Sequence, residues 1–315
     1  MTDVLVTGGA GFIGSHFVDA ALAGAADRIT VLDALTYAGT RENLAHHDAD
    51  PRVRLVEGDV ADPDAVDPLV AASGLVVNFA AESFVDRSIA DARPFAVTNV
   101  LGTHTLLEAA LRHGVPMVQV STDEVYGSTP EGAFTEDSPL RPNNPYAATK
   151  AGADLLCRSF HRTYGIDVRI MRGPNAYGPR QHPEKAIPTF AVAALEGSPL
   201  PVYGDGSNRR EWLYVEDFAR AVLAVIEGGA PGEVYNAGGG HEVANVDLAR
   251  AICRLAGAPE DLVTFVEDRP GHDFRYSMVW DRLAALGWKP EVEFEDGLAR
   301  TVAWYRDHPE RWLPR

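Results

Sequence analysis

Lysine is nearly missing from this chain: Lys150, Lys185 and Lys289 are its whole complement. Basic residues of both kinds number 28 against 45 acidic ones, a formal charge of −17. A surface so poor in positive charge is repelled by nucleic acid and by anionic membranes, which excludes non-specific binding to either. It leaves room for a phosphate group, which feels the local site rather than the total. Cysteine is scarce too. Cys157 and Cys253 stand far apart in apolar, helical-looking surroundings. A disulfide framework or a zinc site needs more sulfur or a tighter ligand spacing, so two buried, reduced thiols and no metal are expected. No apolar run approaches the ~20 residues that span a bilayer. Met1-Thr2 leads straight into Asp3-Val4-Leu5-Val6-Thr7 without a charged leader, so a soluble, cytoplasmic protein is expected.

The chain has 315 residues, enough for one large or two intimate domains. Through the first half, short apolar runs alternate with helical patterns. Candidate strands are Asp3–Thr7, Arg28–Leu32, Val53–Glu57, Leu75–Phe79, Met117–Ser121 and Asp167–Met171. The segments between them carry apolar residues at three and four spacing, as in Leu106-Leu107-Ala110-Leu111. Strands and helices alternating in units of about 30 residues imply right-handed βαβ crossovers and a parallel sheet covered on both faces. After Met171 glycine, proline and polar residues become frequent, and a final amphipathic helix is expected near Phe294–Asp307. No linker separates the halves, so the second region should pack on the first and leave a cleft between them.

Directly after the first strand comes Thr7-Gly8-Gly9-Ala10-Gly11-Phe12-Ile13-Gly14, followed by the helical Ser15–Ala23. Glycines at 8, 11 and 14 let a backbone turn tightly and approach a pyrophosphate at the positive end of a helix. The second strand ends in Asp33, where a carboxylate can accept from both hydroxyls of a ribose. That carboxylate would repel a 2′-phosphate, so NAD is expected rather than NADP. Asp59, in Gly58-Asp59-Val60, either approaches the adenine edge or caps the helix that begins after Asp62.

Further on, Pro145-Tyr146-Ala147-Ala148-Thr149-Lys150 opens a helix with proline in its first turn. Tyr146 and Lys150 are four apart and project from one face. A phenol is a poor base at neutral pH. A neighbouring ammonium and a cationic nicotinamide would both favour its ionised form, which could take a proton from a sugar hydroxyl.

Gly8–Gly14, Asp33 and Tyr146-x-x-x-Lys150 together resemble the extended short-chain dehydrogenase/reductase family acting on nucleotide sugars. Finer motifs are similar to those of its dTDP-glucose 4,6-dehydratase group: Ala80-Ala81-Glu82-Ser83, Val85-Asp86-Arg87-Ser88, Ser121-Thr122-Asp123-Glu124-Val125-Tyr126-Gly127 and Pro183-Glu184-Lys185-Ala186-Ile187-Pro188. Arg210–Asp217 and Asp268-Arg269-Pro270-Gly271-His272-Asp273 agree as well, so the likeness runs over nearly the whole chain. The resemblance implies a Rossmann-like, doubly wound α/β fold with a smaller, mixed α/β substrate region. NAD would sit in residues 1–171 with 211–235, and a nucleotide-diphosphate sugar in 172–210 with 236–315. It also implies a homodimer, built by pairing helices near Ile89–His113 and Tyr146–Tyr164 into a four-helix bundle.

The resemblance assigns chemistry residue by residue. Tyr146 and Thr122 would hold the sugar's C4 hydroxyl, with Lys150 beside them. Oxidation at C4 acidifies the C5 proton; Glu124 would remove it while Asp123 protonates the departing C6 hydroxyl. Those jobs demand opposite protonation states in adjacent carboxyls. The hydride then returns to C6. Phe12, Ile13, Asp59, Ala81 and Thr98 would line NAD with the glycines and Asp33. Ser83, Phe84 and Asn175 would meet the sugar. Lys185, Arg210, Asn236, Arg269 and His272 would grip the nucleotide diphosphate, where cations offset the pyrophosphate charge.

Two positions depart from the pattern. Phe84 stands where these dehydratases usually carry histidine, and Ala176 where they usually carry asparagine. Both changes remove hydrogen-bond partners near the hexose, so the sugar, or the outcome after C4 oxidation, can differ. Two other readings therefore stay open: a 4-epimerase or other C4-oxidising enzyme, and a non-catalytic NAD-binding scaffold.

Overall fold

Every apolar run singled out in the first half becomes a strand in the computed structural model, which describes residues 2–24, 26–268 and 271–312. These are β1 (Thr2–Thr7), β2 (Ala26–Asp33), β3 (Val53–Glu57), β4 (Leu75–Asn78), β5 (Met117–Thr122) and β6 (Val168–Gly173). Beyond them the strands are short: β7 (Asn175–Tyr177), β8 (Leu200–Tyr203), β9 (Arg209–Tyr214), β10 (Val234–Asn236), β11 (Glu242–Ala244) and β12 (Val263–Val266). Seven strands form one sheet in the order β10-β6-β5-β4-β1-β2-β3, with every neighbouring pair parallel. The order reverses at β1, so a crevice opens at the carboxyl ends of β1 and β4. A three-stranded β11-β9-β7 sheet and a β12-β8 pair lie outside it.

Helices cover both faces, as near-continuous apolar strands require. Phe12–Leu22 and Val215–Gly228 share one cluster, in which Phe17 and Val18 pack with Phe218 and Val222. Pro63–Ala71, Thr103–His113 and Pro145–Tyr164 share the other, through Val66, Leu106, Leu107 and Phe160. A third cluster, around Phe190, Leu248, Phe294 and Tyr305, belongs to the second region and includes the helix Phe294–Asp307. Among the described residues, no helix is long and apolar enough to cross a membrane.

The structure corrects one detail of the sequence expectation. The stretch Ile89–His113, expected to be long and helical, is interrupted rather than continuous. Val85–Ala90 ends at Asp91, Pro94 restarts the chain, and Ala96–Gly102 is a π-helical run before Thr103–His113. The wider turn carries Asn99, whose amide nitrogen donates to the Glu82 carbonyl and to Thr149 Oγ1 while its Oδ1 accepts from Glu82 N. This one buried side chain ties the loop after β4 to the helix bearing Tyr146.

Candidate active site

The loop after β1 is shaped by what it cannot hold. Gly8 has a left-handed backbone (φ +69°), and a Cβ there would come within 2.6 Å of Ala80 N. A Cβ on Gly14 would lie 2.3 Å from the Gly8 carbonyl oxygen. Both positions therefore demand glycine. Gly11 caps the helix Phe12–Leu22 without any side-chain bond, leaving its first amides to face the crevice. Asp33 closes this end. Its Oδ2 accepts from Ala10 N and its Oδ1 from Leu35 N, both at 2.9 Å. Each oxygen keeps a further lone pair for a ribose hydroxyl. Burial raises the Asp33 pKa, against the pull of those two amide bonds. Bare backbone, free amides and an acceptor at the end of β2 fit a dinucleotide.

From this loop runs a cavity of about 480 Å³ that reaches between the two regions. Its walls include Gly8, Gly11, Phe12, Ile13, Gly14, Asp33 and Asp59, then Ala81, Ser83, Phe84 and Thr98. Thr122, Asp123, Glu124, Tyr146 and Lys150 form the middle, and Asn175, Lys185, Arg210 and His272 the far end. Asp59 does not cap the next helix. Its Oδ1 accepts from Ala61 N, and the cap is Asp62, which accepts from Asp64 N.

β5 is buried along its whole length and delivers Thr122 to the middle of the cavity. The chain then turns tightly over Asp123–Tyr126, with Thr122 Oγ1 accepting from Glu124 N at 3.3 Å. Thr122 Oγ1 also donates to Asp123 Oδ1 at 3.1 Å, while Asp123 Oδ2 is buried and has no partner. Burial pushes the Asp123 pKa far up, and the Glu124 and Glu211 carboxylates add to it. Both effects favour the protonated form of Asp123, and one of its oxygens is directed at nothing in the protein. Glu124 differs: it is partly exposed, and its Oε2 accepts from Asn144 Nδ2 at 3.2 Å and lies 3.5 Å from the Tyr276 hydroxyl oxygen. Neighbouring carboxyls in unlike surroundings are what acid and base work on one carbon pair requires.

Asn144 also caps the helix Pro145–Tyr164, accepting from Ala147 N at 2.8 Å. The helix start that fixes Tyr146 therefore also supports Glu124. Tyr146 is 9% exposed, and burial together with the Glu124 charge pushes its phenol well above the ordinary value. Lys150 donates to the Val120 carbonyl at 2.7 Å, and burial lowers its pKa to about 8. Burial thus favours the neutral phenol of Tyr146, and a positive charge placed beside it would favour deprotonation.

At the far end Arg210 is 6% exposed and donates to the Arg209, Asp273 and Phe274 carbonyls. Its guanidinium lies 4.7 Å from the centre of the Tyr276 ring. Three carbonyl partners neutralise none of its charge, which stays available to a phosphate. Lys185 Nζ donates to the Ser83 carbonyl and sits 5.4 Å above the Phe84 ring. His272 Nδ1 pairs with Asp268 Oδ1 at 2.6 Å. Asn175 Oδ1 is buried without a partner, a vacant acceptor for a hydroxyl. Phe84 and Ala176 both line the cavity.

Two expected residues are not found on this wall. Asn236 is fully buried in β10, where Tyr126 donates its hydroxyl to Asn236 Oδ1 and Asn236 Nδ2 donates to the Val279 carbonyl. Its amide is spent inside the protein, which corrects its assignment as a substrate contact. Arg269 lies outside the described residues. The structure adds Asn144, Asn245 and Tyr276. Asn245 and Tyr276 line the cavity, and the Tyr276 hydroxyl donates to Asp273 Oδ2 at 2.5 Å. Asn144 carries a cap signal, standing before Pro145; the other two carry none.

Comparison with known proteins agrees with this geometry. The family model described as GDP-mannose 4,6 dehydratase matches residues 5–301. The low-salt glycan biosynthesis protein Agl12 of Haloferax volcanii is 56% identical over 304 residues, covering 96% of this chain and 98% of that protein. A dTDP-glucose 4,6-dehydratase of Streptomyces niveus is 52% identical over 318 residues, covering 99% and 95%. Among solved structures, DesIV (dTDP-glucose 4,6-dehydratase) from Streptomyces venezuelae, with NAD and TYD bound, superposes with a TM-score of 0.97. It is 54% identical, and 99% of each chain is covered.

Proposed function

Because the chain belongs to the extended short-chain dehydrogenase/reductase family, in its NAD-dependent epimerase/dehydratase branch, we propose that it converts dTDP-glucose to the 4-keto-6-deoxy sugar nucleotide by loss of one water. The buried, partnerless oxygen of Asp123 beside the better-solvated Glu124 carries this reading. Epimerisation at C4 needs neither carboxyl, and a scaffold needs none of the set.

The 8–14 loop and Asp33 would hold NAD, which when bound would supply a positive charge and a reversible two-electron acceptor for the sugar's C4–H. Tyr146 takes the C4 hydroxyl proton, and the Thr122 hydroxyl orients that oxygen. Glu124 then removes the acidified C5 proton. Asp123 gives its proton to the C6 oxygen as the C6–O bond breaks, so water leaves and the C5–C6 double bond forms. With hydride returned to C6 and a proton to C5, the reaction would be redox-neutral overall. Residues 1–171 with 211–235 are assigned the cofactor and 172–210 with 236–315 the sugar nucleotide. Arg210, Lys185 and His272 receive the diphosphate. Ser83, Phe84 and Asn175 meet the hexose.

Purified protein given a panel of nucleotide hexoses in deuterated water should convert one with loss of a single water and gain of one solvent deuterium at C5, read by mass spectrometry and NMR. Unchanged mass, with C4 inverted and no solvent deuterium taken up, would instead indicate a 4-epimerase.

The proposed assembly is a homodimer. Val97 and Leu101 are exposed on the 96–102 run, and Leu155 is exposed on the helix that Asn99 ties to it through Thr149. These adjoining apolar side chains suit burial against a second copy in a four-helix bundle. Light scattering should give twice the chain mass for the parent and a single chain mass for Leu101→Glu with Leu155→Glu; monomeric parent protein would contradict this.

A further inference from the structure

Outside the cavity, the fold gathers three ligand-type side chains that lie apart in the sequence. Asp19 projects from the helix Phe12–Leu22, and His46 and His47 come from the short turn Ala45–His47. Both imidazoles direct Nε2 at the same oxygen, Asp19 Oδ1, each at 2.7 Å. Their ring centres are 4.0 Å apart, and all three ligand atoms fall within 4.8 Å of one another. None of the three lines the cavity.

We propose that Asp19, His46 and His47 form a binding site for a divalent transition-metal ion of the zinc class. Two imidazole nitrogens and one carboxylate oxygen are the donors such borderline ions prefer, with water completing a tetrahedron. Bonds of about 2.0–2.2 Å place neighbouring ligand atoms roughly 3.3 Å apart, so each ring need only draw back by about half an ångström. Arg180 holds the other carboxylate oxygen, Oδ2, at 2.5 Å, so Oδ1, which both imidazoles face, is the oxygen that would make a single metal bond. Outer partners of this kind orient metal ligands. His46 is half exposed, which gives an ion a way in, and the chain's excess of negative charge favours a cation's approach.

The site would act as a staple. Asn43, in the same segment as the histidines, donates to the Ala10 carbonyl at 2.9 Å, and Thr40 N donates to it at 3.1 Å. Pinning residues 46 and 47 to the first helix therefore braces the glycine loop from behind.

The test uses full-length, tag-free enzyme stripped with chelator. Cobalt(II) titration should produce visible absorption saturating at one equivalent, and zinc at about 100 μM should raise the melting temperature by several degrees. His46→Ala and the His46→Ala/His47→Ala double variant should lose at least tenfold in affinity. His104→Ala, on another face, should bind like the parent. Melting in chelator shows whether each variant is folded. The proposal is overturned if the parent binds neither ion, or if the folded double variant binds as tightly as the parent.

Discussion

Asp123→Asn and Glu124→Gln are each expected to slow water loss by about 10²–10⁴-fold while leaving oxidation at C4 detectable. The two substitutions keep size and most hydrogen bonds. In Asp123→Asn the amide oxygen could still accept from the Thr122 hydroxyl, which now donates to Asp123 Oδ1. The amide would have no acidic proton to give the C6 oxygen. In Glu124→Gln the amide oxygen could keep contact with Asn144 and Tyr276, but it could not take a proton from C5. Reduced cofactor should therefore accumulate in both variants on mixing with substrate, seen as near-ultraviolet absorbance, while the keto-deoxy product lags. The KM should change far less than kcat, because the diphosphate grips through Arg210 and Lys185 rather than through these acids. Parent rates of dehydration in both variants would remove the roles assigned here.

Breaking the Asp154–Arg172 pair should cost about 3–5 kcal/mol of stability, on the order of 10 °C in Tm. Both side chains are fully buried, with Arg172 Nε 2.8 Å from Asp154 Oδ2. Arg172 also donates to the Tyr126 hydroxyl at 2.7 Å, which in turn donates to Asn236. Arg172→Met strands a carboxylate, and Asp154→Leu strands a guanidinium. The double substitution should recover much of the loss, since a buried ion pair contributes little net stability over apolar groups of similar volume. Asp154 lies one helical turn beyond Lys150, and its charge partly offsets the burial that lowers the Lys150 pKa. Asp154→Leu should therefore impair catalysis even in folded, soluble protein. Thermal denaturation of the three variants checks this, and single variants melting like the parent would contradict it.

The contrast between these two networks shows what a sequence carries. Thr122-Asp123-Glu124 and Tyr146-x-x-x-Lys150 are each local: one strand end or one helix turn fixes their geometry, so spacing alone exposes them. The Gly8–Gly14 loop is legible for the same reason. β10 leaves no sequence signal because three residues make no period, and only pairing with β6 turns Val234–Asn236 into the sheet's edge. That pairing is also what buries Asn236 away from the cavity. Tyr276 reaches Glu124 across 152 positions, and Asp19 meets His46 across 27. Contacts at such separations belong to the packed fold and leave no local pattern. Phe84 and Ala176 are legible as departures, and the structure places both on the cavity wall, where each removes a hydrogen-bonding group.

The central claim is that the electron pair removed at C4 of a sugar is returned to C6 of the same molecule. Substrate carrying deuterium at C4, turned over in ordinary water, tests it most directly. The account predicts product with that deuterium in its C6 methyl group and a solvent proton at C5. Deuterium retained at C4 of an epimer, or lost to the solvent, would contradict it.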